Sequence, residues 1–230
     1  MGVNYNPKIV TDGLVLCYDA ANDRSYPNTG TTWTDLAGSN DGTLTNGPTF
    51  DTTNKGSIVF DGTNDRVAIS LGSLPTPQNS DNFTYEAVVK FDSLGWRTIF
   101  SQDAGSGTGR IFLGVHGTNS KLVTFIPGSA QQPSFSAVST DTIYHVALKL
   151  TQLPLMIEPT ISIGLNGVWD IAWNQGAYVY NGTGDINIGC EPSAAGSFLD
   201  GNILAVRIYN RPLDDNELFQ NYRTIKGRYS

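Results

Sequence analysis

Phe83-Thr-Tyr-Glu-Ala-Val-Val-Lys-Phe91 is the stretch that decides the fold. Phe83, Tyr85, Ala87, Val89 and Phe91 fall on one side of an extended chain, and Thr84, Glu86, Val88 and Lys90 fall on the other. Alternation with a period of two predicts a strand with one face on a core and the other toward more polar surroundings. Outward from it, β-rich runs are separated by turn pairs at Asp12-Gly13, Asp41-Gly42, Asn46-Gly47, Asp61-Gly62, Asn166-Gly167, Asn181-Gly182 and Asp200-Gly201. That rhythm points to an all-β sandwich or barrel. Strands are predicted at 14–18, 57–60, 66–69, 97–101, 110–115, 121–126, 143–150, 160–165, 185–189 and 202–209. Asn166-Gly167 turns 160–165 into a hairpin with 168–172.

Leu14 to Tyr18 is apolar on both faces and is expected at the centre of a sheet, beside the strand that holds Leu204, Val206 and Ile208. Residues 21–48, rich in Gly, Thr, Asn and Asp, read as a long surface loop with little regular structure. One helix is predicted, at the C-terminal end. Asp214 with Glu217 three residues on makes a capping box, and Leu218, Phe219 and Tyr222 supply a short apolar face. No composition break divides the chain, so a single domain over 1–230 is expected, with 1–11 and 224–230 as terminal extensions.

Composition excludes several functions. With 14 basic residues against 21 acidic and a net charge of -7, the chain lacks the clustered cationic face that nucleic acid requires, and none is expected as a partner. No apolar run approaches the length of a membrane-crossing helix, and residues 1–10 show no basic-then-apolar leader, so no membrane insertion is expected. Cys17 and Cys190 are read as buried free thiols, with one bridge between them as the alternative. His116 and His145 are the only histidines, too few for an ordinary zinc site.

Several segments, taken in order, resemble a known family. Gly13-Leu-Val-Leu-Cys-Tyr-Asp-Ala-Ala21 and Thr31-Thr-Trp33-Thr-Asp-Leu-Ala-Gly38 are similar to the opening of laminin G-like, concanavalin A-like domains common in phage structural proteins. Ser57-Ile-Val-Phe-Asp-Gly-Thr-Asn-Asp65 resembles that family's F-D-G-x-x-D strand and turn. Ile143-Tyr-His-Val-Ala147 resembles its W-Y-H-V-A strand, with Ile143 in place of Trp. Ile163-Gly-Leu-Asn-Gly167 resembles its Y-V-N-G hairpin. Gly201 to Tyr222 resembles its closing strand and helix, with Ala205 where an acidic residue is common. The resemblance implies a jelly-roll sandwich of two antiparallel sheets with one short C-terminal helix. It also implies a structural or adhesive virion module of a tailed phage: a head decoration, fibre or tail-associated protein, made in the host cytoplasm. The alternative is a soluble carbohydrate-binding lectin domain.

No enzyme is expected. Hydrolases of this superfamily carry E-x-D-x-x-E on one strand, two carboxylates about 5.5 Å apart in retaining enzymes. Here Glu86, Glu158, Glu191 and Glu217 are too far apart in sequence to share such a strand. Calcium is the one cofactor under consideration. Asp61, Asn64 and Asp65 put oxygen donors on one tight turn, where they either hold a hard cation or bond the turn's own amides. For glycans, Trp169, Trp173, Tyr178 and Tyr180 are the candidate stacking residues, with core or interface packing as their other reading. Leu153, Leu155, Met156 and Ile157, near Pro154 and Pro159, form an apolar insert. It is expected to meet other virion proteins or further copies of the chain, a trimer first and a dimer second.

Overall fold

The computed structural model describes residues 8–76, 80, 82–102, 111–125, 132–152, 159–174, 184–191 and 197–229. In chain order the strands are β1 (Leu14–Asp19), β2 (Thr32–Trp33), β3 (Gly42–Thr45), β4 (Thr49–Asp51), β5 (Ser57–Asp61), β6 (Arg66–Ile69), β7 (Phe83–Phe91) and β8 (Arg97–Gln102). They continue with β9 (Ile111–Val115), β10 (Lys121–Phe125), β11 (Gln132–Ala137), β12 (Ile143–Thr151), β13 (Thr160–Leu165), β14 (Val168–Asn174), β15 (Ile186–Ile188) and β16 (Asp200–Tyr209). Among the described residues one α-helix, α1 (Asp215–Tyr229), follows, and a single 3-10 turn, Thr53–Lys55, lies between β4 and β5.

Two antiparallel sheets form the expected sandwich. The first runs β14-β13-β12-β7-β16-β5-β4, and the second runs β11-β10-β9-β8-β15-β6-β3-β2. Strand β16 lies alongside β7 on one side; on its other side β5 pairs with its first half and β1 with its second. The first and last strands therefore pair, as the sequence predicts. Leu14–Tyr18 is not central, however. Its outer edge meets a loop: the Cys17 amide donates to Asp35 Oδ1 at 2.9 Å, and the Leu36 amide donates to the Cys17 carbonyl at 2.9 Å. Apolar character on both faces arose because β1 is covered above and below, while side-chain and loop groups satisfy its free edge.

The region 21–48 departs from its expected form. It contributes β2 and β3 to the second sheet, and Trp33 is fully buried against the Tyr18 ring at 5.1 Å. Its many turn residues hid strands only two to four residues long. Strand β11 is also absent from the sequence reading. Val10 is buried, and 224–229 are the last turns of α1. The capping box forms as predicted: the Glu217 amide donates to Asp214 Oδ1 at 2.9 Å, and the Asp214 amide donates to Glu217 Oε2 at 3.0 Å.

The interior lies between the sheets, where Phe83, Tyr85, Ala87, Val89 and Phe91, with Val146, Leu148, Ile203, Val206 and Ile208 of the same sheet, form one core with Val67, Ile69, Leu113, Leu122 and Ile188 of the second. The opposite face of β7 is also covered. Helix α1 lies across it, so Thr84, Glu86 and Val88 are buried as completely as the core. Cys17 and Cys190 are both free and buried, and burial pushes both thiols up, Cys190 to about 11. Among the described residues no helix is long and apolar enough to cross a membrane.

Candidate functional site

Two β-bulges decide which side chains meet under α1. Between Ile203 and Ala205 the β16–β7 register shifts by one residue, leaving Leu204 unpaired. Strict alternation would put Ile203, Ala205, Arg207 and Tyr209 on one face. The extra residue turns Ile203 into the interior and keeps Ala205, Arg207 and Tyr209 on the helix side, with Arg207 opposite Glu86. Small residues then let the helix approach. A Cβ on Gly164 would lie 3.1 Å from Leu218 and 3.2 Å from Ala147.

The result is a buried polar cluster. Asn221 Nδ2 lies 3.1 and 3.0 Å from the two Glu86 oxygens and 2.9 Å from Tyr209 Oη. The Val10 amide donates to Asn221 Oδ1 at 2.8 Å, and Tyr209 Oη donates to the Val10 carbonyl at 3.1 Å. Arg207 Nη1 is 3.7 Å from Glu86, and His145 Nε2 is 3.4 Å from it, a close approach rather than a well-formed hydrogen bond. Burial alone would raise the Glu86 carboxyl. His145, Arg207 and Asn221 outweigh it and hold the group below its ordinary value. The residues that tie the N-terminal segment, β7, β16 and α1 together are thus largely one network.

At one end of this cluster a cavity of about 460 Å³ opens to solvent between α1 and the start of β12. Tyr222, Lys226 and Tyr229 from the helix form one wall. Asp141, Thr142 and Asn166 come from turns, Asn54 from the 3-10 turn Thr53–Lys55, and His145 from β12. His145 is 2% exposed, its Nδ1 has no hydrogen-bond partner, and its ring lies 6.2 Å below that of Tyr222. Tyr229 Oη is likewise buried without a partner, and burial pushes its phenol up to about 12. Asn166 is fixed by its own turn: its Oδ1 accepts the His145 amide at 3.1 Å, and its amide donates to the His145 carbonyl at 2.7 Å. Gly167 follows at φ 81°, and a Cβ there would lie 2.8 Å from Tyr222. Beyond that contact is a second cavity of about 300 Å³, lined by Gly167, Val168, Trp169, Asp215, Asn216 and Phe219.

The residues singled out from sequence are dispersed. A bulge at Asp170 separates Trp169 from Trp173. Trp173 packs with Ile171 on the interior, while Trp169 lies opposite Gly164 on the helix side, with Lys149 Nζ 4.0 Å above its ring. The two tryptophans therefore share no platform. Asp170 itself accepts hydrogen bonds from Ser136 at 3.0 and 3.1 Å, joining the edges of the two sheets. Tyr178, Tyr180, Leu153, Leu155, Met156 and Ile157 lie outside the described residues. One carboxylate oxygen each of Asp61 and Asp65 accepts an amide of their own turn, and the Asn64 carbonyl meets a neighbouring turn. Asp61 Oδ1 accepts the Thr63 amide at 2.8 Å, Asp65 Oδ2 accepts the Asp61 amide at 3.1 Å, and the Asn64 carbonyl accepts Asn46 Nδ2 at 2.9 Å. Asp65 is also buried, which pushes its carboxyl up. Among the described residues no group of three or more His, Cys, Asp or Glu side chains is placed to hold a metal. The cavity residues were missed because they come from four separate segments. The one visible signal was Glu86, a lone carboxylate in an otherwise strongly apolar strand.

Comparison with known proteins identifies the architecture. A family model described as the concanavalin A-like lectin/glucanases superfamily matches residues 60–219, more than half of the chain. No curated protein matches in sequence. Among solved structures, domain 4 of AbnA, a GH43 extracellular arabinanase from Geobacillus stearothermophilus, determined in complex with arabinotriose, superposes with a TM-score of 0.69 at 16% identity. The match covers 91% of this chain and 98% of that domain. The sialidase of Trypanosoma rangeli, in complex with the inhibitor DANA, gives 0.66 at 18% identity over 93% of this chain, which spans about a third of the sialidase (33%). A mutant of that sialidase displaying trans-sialidase activity gives 0.69 at 18%. At such identities the likeness is one of fold. It overturns the expectation that the chain is no enzyme: the fold is one that an arabinanase and sialidases carry, so the missing E-x-D-x-x-E strand is no ground for excluding catalysis.

Proposed function

This chain belongs to the concanavalin A-like lectin/glucanases superfamily, and we propose that it binds carbohydrate in the groove between α1 and the outer face of the first sheet. One observation carries the reading: the composition of the 460 Å³ cavity. Its size falls within the range of small-ligand sites. Tyr222 and Tyr229 offer aromatic surface to the C–H face of a sugar ring. Asp141, Thr142 and Asn166 stand around them with oxygens and amides suited to vicinal hydroxyls, and His145 supplies a buried nitrogen without a partner. The complex of the arabinanase domain with arabinotriose supports this reading.

The test is calorimetric titration of the whole chain with arabinotriose, sialyllactose and neutral gluco- and galacto-oligosaccharides. Binding that Tyr222→Ala abolishes, with the fold intact by circular dichroism, is the expected result. Absence of binding to every glycan, or binding indifferent to Tyr222→Ala, overturns it. The same incubations, read for released sugar, decide whether binding leads to cleavage. The sequence resemblance supports a finer placement, as an adhesive module of a tailed-phage particle in contact with other virion proteins and with its own copies. Stoichiometric recovery from purified particles would bear that out, and absence from them would refute it.

A further inference from the structure

The two cavities beside α1 adjoin one row, or track, of aromatic side chains. Asn166 lines the larger and Gly167 the smaller, and Gly167 lies close against Tyr222, which lines the larger. On the helix, Phe219, Tyr222, Lys226 and Tyr229 are spaced i, i+3, i+7 and i+10 and share one face, a run of about 15 Å at 1.5 Å per residue. The rings of Phe219 and Tyr222 are 6.3 Å apart, and Lys226 Nζ lies 5.7 Å from the Tyr222 ring. Phe219 is 47% exposed, one of the few large apolar side chains left open, and it stands beside Trp169 in the second cavity. Polar groups accompany the track at both ends: Asp215 and Asn216 at the start of the helix, Asp141 and Asn166 further along. The cavity linings carry two carboxylates, Asp141 and Asp215, and the ammonium of Lys226; Arg223 and Arg228 stand 5.9 and 5.5 Å from the Phe219 and Tyr229 rings, Arg228 paired with Asp19, and Lys149 lies 4.0 Å from the Trp169 ring. These local charges nearly offset one another, and the chain's net charge of -7 disfavours an anionic ligand.

We propose that this track binds a neutral, linear oligosaccharide lengthwise along α1, with consecutive sugar rings on Tyr229, Tyr222 and Phe219, so that both cavities are filled by one chain. The assignment rests on the carbohydrate-binding reading given above and deepens it from a single pocket to a set of subsites. A ligand of one or two sugars fills the larger cavity alone. A longer one crosses Tyr222 and gains the stacking surface of Phe219 with the amide of Asn216. The buried Nδ1 of His145, below the Tyr222 ring, and Tyr229 Oη mark the anchoring subsite, because both are polar groups already desolvated and without a hydrogen-bond partner.

The experiment is a length series. Arabino-, cello- and galacto-oligosaccharides from monosaccharide to hexasaccharide are titrated against the full chain, with sialyllactose as the anionic probe. In the series that binds, affinity rises about tenfold between disaccharide and tetrasaccharide, the worth of one added aromatic stacking contact, and then levels off. Phe219→Ala, at an exposed position that leaves the fold intact, removes that rise, and Asn216→Ala reduces it. Equal affinity for disaccharide and tetrasaccharide refutes the track and leaves the single-pocket reading standing. A length dependence that survives Phe219→Ala also refutes it. Tighter binding of sialyllactose than of every neutral sugar overturns the choice of ligand class. No binding at any length removes the track together with the function it rests on.

Discussion

Asn221 Nδ2 lies within 3.1 Å of both carboxylate oxygens of Glu86, 135 residues away in sequence. A buried carboxylate is tolerated only while donors face it, and this amide reaches both of its oxygens. Its own Oδ1 also takes the Val10 amide, so one side chain fastens α1 to the sheet and to the N-terminal segment.

Replacing Asn221 with Leu therefore removes a donor from a buried charge and leaves the Val10 amide unpaired. The expected loss is about 3 kcal/mol of unfolding free energy by urea titration. Asn221→Asp, which sets a second carboxylate against Glu86, should lose more. A midpoint unchanged in both variants would show that the network contributes nothing to stability.

Acid should weaken the fold through Glu86. Burial raises this carboxyl, but His145, Arg207 and Asn221 lower it further, so the folded group sits below its ordinary value of 4.5. The unfolded chain then binds the proton more readily. The stabilisation is complete above that value and is lost as pH falls below it toward the folded value. Glu86→Gln should be less stable at neutral pH and show a flatter stability curve below 4.5. Parallel curves for the two proteins would assign acid sensitivity to other carboxylates.

Leu218 is fully buried and fits against Gly164 and Ala147, where neither neighbour can fill a vacated space. Leu218→Ala should cost about 2 to 5 kcal/mol, measured by chemical denaturation. A loss below about 1 kcal/mol would mean that the helix contributes little to holding the sheet.

Calcium should leave the thermal midpoint unmoved, because the donors of the 61–65 turn already accept its amides. Asp61→Asn should change stability by less than about 0.5 kcal/mol, since an amide oxygen caps the same turn. A calcium-dependent rise in the midpoint that vanishes in Asp61→Asn would instead show that this turn holds the ion.

The sequence alone determined the strands of β7, β12, β13 and β16, the Asn166-Gly167 hairpin and the capped C-terminal helix. Each is written in a local signal: alternation of period two, a turn pair with positive φ, a carboxylate three residues beyond its cap. The family motifs, in order, carried those elements to the right architecture. Tertiary structure alone decided the faces. The extra residues at Leu204 and Asp170 are bulges only in relation to their partner strands, and each moves a side chain that simple alternation would misplace, Ile203 to the interior and Trp169 to the helix side. The outer face of β7 reads as half-polar because nothing in its nine residues records that a helix more than a hundred positions later will cover it. The groove shares that origin. Asn54, Asp141, His145, Asn166 and Tyr222 meet because α1 packs across the sheet, and that packing depends on long-range contacts that no local pattern encodes.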